Sequence, residues 1–471
     1  MIFNPKVLQL YDGAYRFDGT VKAWAYTGLC KDVFRDFWKG FCFTCSALET
    51  VETNELIFRI GDAEPLSLDG YAYSICVTET GICLQARDSQ ALIHGFMTLL
   101  DRIEPVSTPA GTSLAIPCCQ IHDRPDIANR MVHFCVFPQT QLWELERFVR
   151  MSGALKFTHI ILEFWGTLQY DCMKELSWPG AFSKSQIRPL IREANALGME
   201  VIPMFNHWGH ATASRAVHGK HVVLDQNPAL QCYFSPDGWC WDIGQEKVKA
   251  LHRQIRKELI ELCGAGSYFH IGCDEAYNFQ LNQKNMDLLC DFINDIQQEL
   301  VDCGRKAILW GDMFLYHYSH YRAENRYYCN APTPDAADYM LDRLRKDIVI
   351  ADWQYRAKIK PVETSAVFTE KGFQCILCPW DRGTAEVGAN VNTVKEQNLL
   401  GIMHTTWHTL STGTLYITMS AAESYDNVQV NNITEFWRII RGATSALLRK
   451  VYPVHGNYEK AGWAVNEIIP E

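Results

Sequence analysis

The sequence predicts an α/β protein: a (β/α)8 TIM barrel preceded by a small α+β domain. Three observations carry this. Eight buried-strand runs alternate with helical patterns from residue 131 onward, and such alternation implies a parallel sheet that eight repeats can close. Ahead of them, short β-rich runs accompany one helix. No G-x-G-x-x-G follows the first strand of the repeat and no P-loop occurs, which argues against an open, doubly wound sheet. The polar stretch "HDRPDIANR" (122–130) marks the change of rhythm, so the chain divides into 1–122 and 123–471.

In the first part, "ELIFRIG", "YAYSICVTE" and "GICLQAR" read as strands split by Gly and acidic residues. "DSQALIHGFMTLLDRI" (88–103) reads as a helix capped by Asp88 or Ser89, with apolar residues at helical spacing.

In the second part the strands are "MVHFCVF" (131–137), "THIILEF" (158–164), "EVIPMFN" (200–206) and "SYFHIG" (267–272), then "KAILWGD" (306–312), "DIVIADW" (347–353), "FQCILCPW" (373–380) and "LGIMHTTW" (400–407). Helices such as "TQLWELERFVRMSGAL", "SQIRPLIREANALG" and "QEKVKALHRQIRKELIELCG" fall between them, and the repeat is expected to run to about residue 447.

The 471 residues are 48% apolar, enough for a sizeable core. Net charge is −10 and no Lys/Arg run occurs, which argues against nucleic acid or an anionic membrane as the main partner. No basic region followed by a long apolar run opens the chain, and no stretch of about 20 apolar residues spans a membrane. The 18 Cys are therefore expected to be reduced thiols in the cytoplasm. "CFTC" (Cys42, Cys45) and "CILC" (Cys375, Cys378) have redox or metal spacing without a second pair, so both read as small buried thiols.

A barrel keeps its active site at the C-terminal ends of its strands. Those ends hold Glu163, Phe164 and Trp165; Asn206, His207, Trp208, Gly209 and His210; Asp274 and Glu275; Trp310 and Asp312; Asp352, Trp353 and Tyr355; Trp380 and Asp381; and Trp407 and His408. Six of the eight ends carry a Trp. Aromatic walls with hydrogen-bonding acids suit a sugar, which has apolar faces and polar rims.

Glycoside hydrolysis usually needs two carboxylates, one on each side of the bond. Asp274 and Glu275 are neighbours, with Cα atoms about 3.8 Å apart, and cannot easily flank one bond. Either the nucleophile is elsewhere, at Glu163, Asp312 or Asp381, or the substrate supplies it. The carbonyl oxygen of a 2-acetamido sugar reaches its own anomeric carbon. One acid of the pair then protonates the leaving group while the other orients the acetamido N–H.

"FHIGCDEAY" resembles the H-x-G-G-D-E signature of glycoside hydrolase family 20, the β-N-acetylhexosaminidases, and resembles the hexosaminidase D branch more closely, with Cys273 for the second Gly. "EVIPMFNHWGH", "ILWGDM" and "TTW" resemble the family's third, fifth and eighth strands, and "ALIHGFMTLLDRI" the helix of the domain that precedes the barrel. The resemblance implies an exo-acting enzyme that works without a cofactor on a terminal β-linked 2-acetamido sugar through an oxazolinium intermediate. It makes Glu275 the general acid/base, Asp274 the residue that steadies the acetamido nitrogen, and His210 a partner of the pair. Trp310, Trp353 and Trp407 line the sugar pocket, and Tyr355 is the candidate for the acetamido oxygen. Glu163, Asn206, Asp312, Trp380 and Asp381 complete the expected binding set. The sequence departs from the family pattern after strand one, where "RMVHFCVFP" offers neither the usual Asp nor the Arg that holds sugar hydroxyls, and at strand eight, where His408 stands instead of Glu. Recognition of O3, O4 and O6, and with it the gluco or galacto preference, is left open.

Two rivals stand beside this reading: a retaining glycosidase with a protein carboxylate nucleophile, and a catalytically silent sugar-binding protein. The x-x spacings His207/His210, His218/His221 and His317/His320 lack a clustered third ligand, so no zinc site is expected. Cys135 or Cys273 as a nucleophile needs a base within hydrogen-bond reach.

Overall fold

A computed structural model describes residues 3–17, 21–26, 45–51, 56–109, 111–212, 223–277, 279–316, 327–357, 361–407, 410 and 412–426. Cys42, His218, His221, His317, His320, His408 and the expected barrel residues beyond 426 lie outside these.

The N-terminal unit is an eight-stranded sheet. Its strands are β1 (Val7–Arg16), β2 (Val21–Tyr26), β3 (Cys45–Val51), β4 (Leu56–Gly61), β5 (Tyr73–Val77), β6 (Gly81–Ala86), β7 (Glu104–Thr108) and β8 (Gly111–Asp123). They run in the order β1-β8-β5-β6-β4-β2-β3, with β7 also on β8. The strands read from sequence, β4 to β6, are short apolar runs buried over most of their length. β8 escaped that reading because Pro117 and the polar tail "CQIHD" break its pattern; Pro117, which has no N–H, faces β1 where the register shifts between Leu10 and Ala14. Helix α1 (Ser89–Asp101) is capped by Asp88, whose side chain accepts from Ala91 N at 2.7 Å. Gly95 lets α1 lie close to the sheet, since a Cβ there would come within 2.4 Å of Leu84.

The second unit is a closed parallel barrel: β9 (Asn129–Cys135), β10 (His159–Glu163), β11 (Glu200–Met204), β12 (Tyr268–His270), β13 (Lys306–Trp310), β14 (Val349–Asp352), β15 (Gln374–Leu377) and β16 (Gly401–His404). β16 pairs with β9 to close the ring. Apart from β9, which is shifted two residues earlier, the strands are shorter than the apolar runs that predict them, because each run continues into the strand-end loop. Period-two alternation sorts the side chains. Met131, Ile161, Ile202, Ile308, Val349, Ile376 and Met403 fill the interior. Val132, Ile160, Val201, Ile350, Leu377 and Ile402 face the surrounding helices. These include α2 (Leu142–Ala154), α3 (Lys184–Ala196), α4 (Glu246–Cys263), α5 (Gln283–Asp302), α6 (Pro334–Arg343), α7 (Thr364–Glu370), α8 (Thr384–Gln397) and α9 (Thr414–Tyr425).

The two units meet at buried Lys156, whose Nζ donates to Thr98 Oγ1 at 2.7 Å and Tyr73 Oη at 3.1 Å and lies 4.1 Å from the Tyr425 ring. Cys375 and Cys378 are buried free thiols, as are most other cysteines among the described residues. No helix among the described residues is long and apolar enough to cross a membrane.

Candidate active site

β12 ends at His270, and the next residues leave the strand through left-handed backbone at Gly272 (φ 69°), Cys273 (φ 74°) and Glu275 (φ 50°). Non-glycine residues pay for this conformation, and it clusters at functional sites. The turn also needs two glycines for close approach. A Cβ on Gly272 would lie 1.9 Å from Asn206 Oδ1, and one on Gly209 would lie 1.9 Å from the Asp274 carbonyl oxygen. Thus the β11 and β12 loops interlock, and His210 is delivered onto the acid pair.

His210 Nε2 sits 3.0 Å from Glu275 Oε2 and 3.4 Å from Asp274 Oδ2. Burial opposes a charge on His210, but Asp274 and Glu275 outweigh it and push its pKa up to about 9. Asp274 is buried, and its Oδ1 accepts no hydrogen bond among the described residues. Glu275 is more open, with 24% of its side chain exposed.

Asp312 supports the pair from β13. Its Oδ2 accepts Glu275 N at 3.0 Å and Asn330 Nδ2 at 2.7 Å, and its Oδ1 accepts Trp353 Nε1 at 3.1 Å. Burial, and then the neighbouring Asp274 charge, raise its pKa to about 7.

An aromatic wall stands beside this network. Trp310 packs on His270 (4.3 Å between centroids) and Trp407 (5.7 Å). Trp353 packs on Tyr328 (4.5 Å) and Tyr355 (5.1 Å), and Tyr355 on Trp380 (5.3 Å). The Tyr355 hydroxyl accepts from Trp407 Nε1 at 2.7 Å. Burial holds that phenol in its protonated form, so it keeps a hydrogen to donate.

Glu163, on β10, is fully buried. Its carboxylate takes Asn206 Nδ2 at 2.7 Å and faces His133 Nε2 at 3.0 Å. With Trp165, Asn206, His210 and Trp241 it lines a small pocket that reaches the acid pair through His210. His133, Cys135 and Glu163 offer cation-ligand atoms within 4.8 Å of one another; the 3.0 Å His133–Glu163 contact is the length of a hydrogen bond between them. Asp381 is half-buried.

Trp208 leaves the wall expected of the strand-end Trp residues and packs on Phe279 in the outer core. His207 and His210 do not converge: His207 meets His252 edge-on at 4.9 Å, whereas His210 contacts the acids. Sequence reading missed Trp239, whose Nε1 donates to the Glu275 carbonyl at 2.6 Å and whose ring lies 4.6 Å from His210. It also missed His133, Tyr328 and Asn330. Tyr328 and Asn330 arrive from the long loop after β13, which carries no local pattern. "SPDGWCW", a turn with two Trp between strands, was the available signal for Trp239.

Residues 161–435 match the glycosyl hydrolase family 20 catalytic domain. The chain is 25% identical over 253 residues to a β-hexosaminidase of Akkermansia muciniphila, across 48% of this chain and 49% of that protein; it thus spans about half the length of this curated relative. In structure it is similar to the Flavobacterium johnsoniae chitobiase, with TM-score 0.70 and 16% identity over 97% of this chain and 73% of the other. It is also similar to the Vibrio harveyi exo-β-N-acetylglucosaminidase in complex with N-acetylglucosamine, with TM-score 0.67 and 16% identity over 96% and 78%.

Proposed function

The chain belongs to glycosyl hydrolase family 20, and from that premise we propose that it is an exo-acting β-N-acetylhexosaminidase that uses its substrate's own acetamido group as nucleophile. One observation carries the reading: Asp274 Oδ1 is a buried acceptor with no partner among the described residues, beside an acid that is partly open. A buried acceptor left unpaired costs about 1–3 kcal/mol, and an acetamido N–H supplies the missing donor.

Glu275 protonates the glycosidic oxygen as the acetamido carbonyl oxygen attacks the anomeric carbon. Asp274 accepts the N–H and offsets the positive charge that grows on the oxazolinium ring. The Tyr355 hydroxyl donates to the same carbonyl oxygen and aligns it. Water then opens the ring, giving its proton to Glu275, and the anomeric configuration is retained. Trp353 and Trp407 cover the sugar's apolar surface, while Trp310, expected from sequence to line the pocket, is fully buried and packs on Trp407.

The rival with a protein nucleophile finds less support. Glu163 is held between Asn206 and His133, and Asp312 accepts three donors; neither carboxylate is disposed to attack a sugar carbon. The match of the hexosaminidase D signature, with buried Cys273 at the second Gly, supports placement in that branch. The free thiols support a reducing, cytoplasmic setting. The terminus of β8 at Asp123 and the start of β9 at Asn129 support a unit boundary near 122.

The test is a panel of nitrophenyl glycosides. N-acetylglucosaminide and N-acetylgalactosaminide should be cleaved, and the plain glucoside and galactoside poorly or not at all. A thiazoline mimic should inhibit competitively. Good turnover of plain hexosides, with a covalent adduct from a 2-fluoro sugar, would decide for the rival; binding without turnover would decide for a sugar-binding protein.

A further inference from the structure

Tyr277 keeps an aromatic ring open to solvent against the proposed acid. Among the described residues only Tyr11, Trp143 and Tyr277 leave so much of an aromatic side chain exposed, 52% in Tyr277. Its backbone N donates to the Glu275 carbonyl at 2.8 Å. Its hydroxyl hydrogen-bonds the Glu275 carboxyl, and partial burial, followed by the charge on Glu275, keeps that phenol protonated. The ring is also fixed from behind. It lies 6.4 Å from the Trp239 ring with the two planes within 16° of parallel, an offset stack. Trp239 is itself buried and pinned: its Nε1 donates to the Glu275 carbonyl at 2.6 Å, its N donates to Asp237 Oδ1 at 3.1 Å, and its carbonyl accepts Ala211 N at 2.9 Å. A general acid must come within about 2.6–3.2 Å of the oxygen it protonates. The first atoms of the leaving group therefore lie within reach of a ring bonded to that acid.

We propose that the open face of Tyr277, backed by Trp239, stacks on the leaving group, and that this group is a pyranose, so that the substrate is a β-linked di- or oligosaccharide rather than a simple alkyl glycoside. This rests on the proposed hexosaminidase reading. A pyranose has an apolar C–H face that lies flat on an aromatic ring and hydroxyls at its rim. Because the two rings are fixed before binding, little further ordering is lost when a sugar lands on them. The contact falls to the leaving sugar and not to the terminal one. Trp353, Tyr355 and Trp407, proposed to hold the terminal sugar, follow β14 and β16, whereas Trp239 and Tyr277 follow β11 and β12 and hold Glu275.

The experiment takes whichever N-acetylhexosamine the nitrophenyl panel selects and measures kcat/KM for its β-linked disaccharide and for its methyl glycoside. The readout is the ratio of the two. Both groups leave as alkoxides that need a proton, so a disturbance of Glu275 acts on both and cancels, and the ring of the leaving sugar is what separates them. The wild type should favour the disaccharide. Tyr277→Ala should lower the ratio by about 3- to 10-fold, mainly through the KM of the disaccharide. Tyr277→Leu keeps apolar bulk without a flat face and should lower the ratio as well, which gives a reading if the alanine variant does not fold. Tyr277→Phe keeps the ring and loses the hydroxyl, so its ratio should stay within about twofold of the wild-type value even where both rates fall. A ratio unchanged in Tyr277→Ala or Tyr277→Leu would overturn the proposal. So would a ratio that falls as far in Tyr277→Phe, or a wild type with no preference for the disaccharide. If the wild type cleaves neither these substrates nor the nitrophenyl N-acetylhexosaminides, the hexosaminidase reading itself fails.

Discussion

Asp312 holds the backbone of Glu275: its Oδ2 accepts Glu275 N at 3.0 Å while its Oδ1 accepts Trp353 Nε1 at 3.1 Å. One carboxyl thereby ties the proposed acid to one wall of the sugar pocket. Asp312→Asn keeps the volume but turns an N–H group toward one of these donors. Displacements near 1 Å cost on the order of 10²-fold in rate, so kcat should fall by roughly that factor and KM should rise. A lower melting temperature with kcat unchanged would limit Asp312 to a structural part.

Glu275→Gln removes the proton donor without changing shape. General acids contribute about 10² to 10⁴ in rate, and the loss should approach that range with a sugar leaving group. It should be smaller with nitrophenol, which leaves with little help from a proton. Equal losses with both leaving groups would remove Glu275 from the acid role.

Asp274→Asn keeps the size and removes the charge opposite the oxazolinium. The expected loss in kcat is on the order of 10² to 10³, with KM changed less, because the charge it meets exists only in the transition state. A loss confined to KM would make Asp274 a ground-state contact only.

The barrel was legible because its strands are buried on both faces and read as apolar runs at regular spacing, and Asp274, Glu275 and His210 were legible because chemistry and turn geometry concentrate in short segments. Gly209 and Gly272 belong to that local signal, since each approach to Asp274 or Asn206 excludes a side chain. What escaped came from sequence-distant contacts. Trp239 reaches Glu275 across 36 residues, and Asn330 reaches Asp312 across a loop with no periodicity. Trp208 shows the converse: a strand-end Trp can turn into the outer core, and only packing decides which way it faces.

His210 provides the last prediction. An unfolded histidine titrates near 6.5, whereas Asp274 and Glu275, against the opposing effect of burial, raise the folded value to about 9. The folded chain therefore binds this proton more tightly than the unfolded chain. The stabilisation is complete below about pH 6.5 and is lost as pH rises through about 9. His207 and His252, held neutral by burial, have the opposite dependence, so the wild-type melting curve alone mixes the two. Subtracting a His210→Gln variant isolates the pair. The melting-temperature gap between wild type and variant should be widest near pH 6 and close toward pH 10, and wild-type kcat/KM should fall above about pH 9 as the imidazolium beside Glu275 loses its charge. A gap that stays constant across that range would mean that His210 does not carry the charge that the acid pair holds on it.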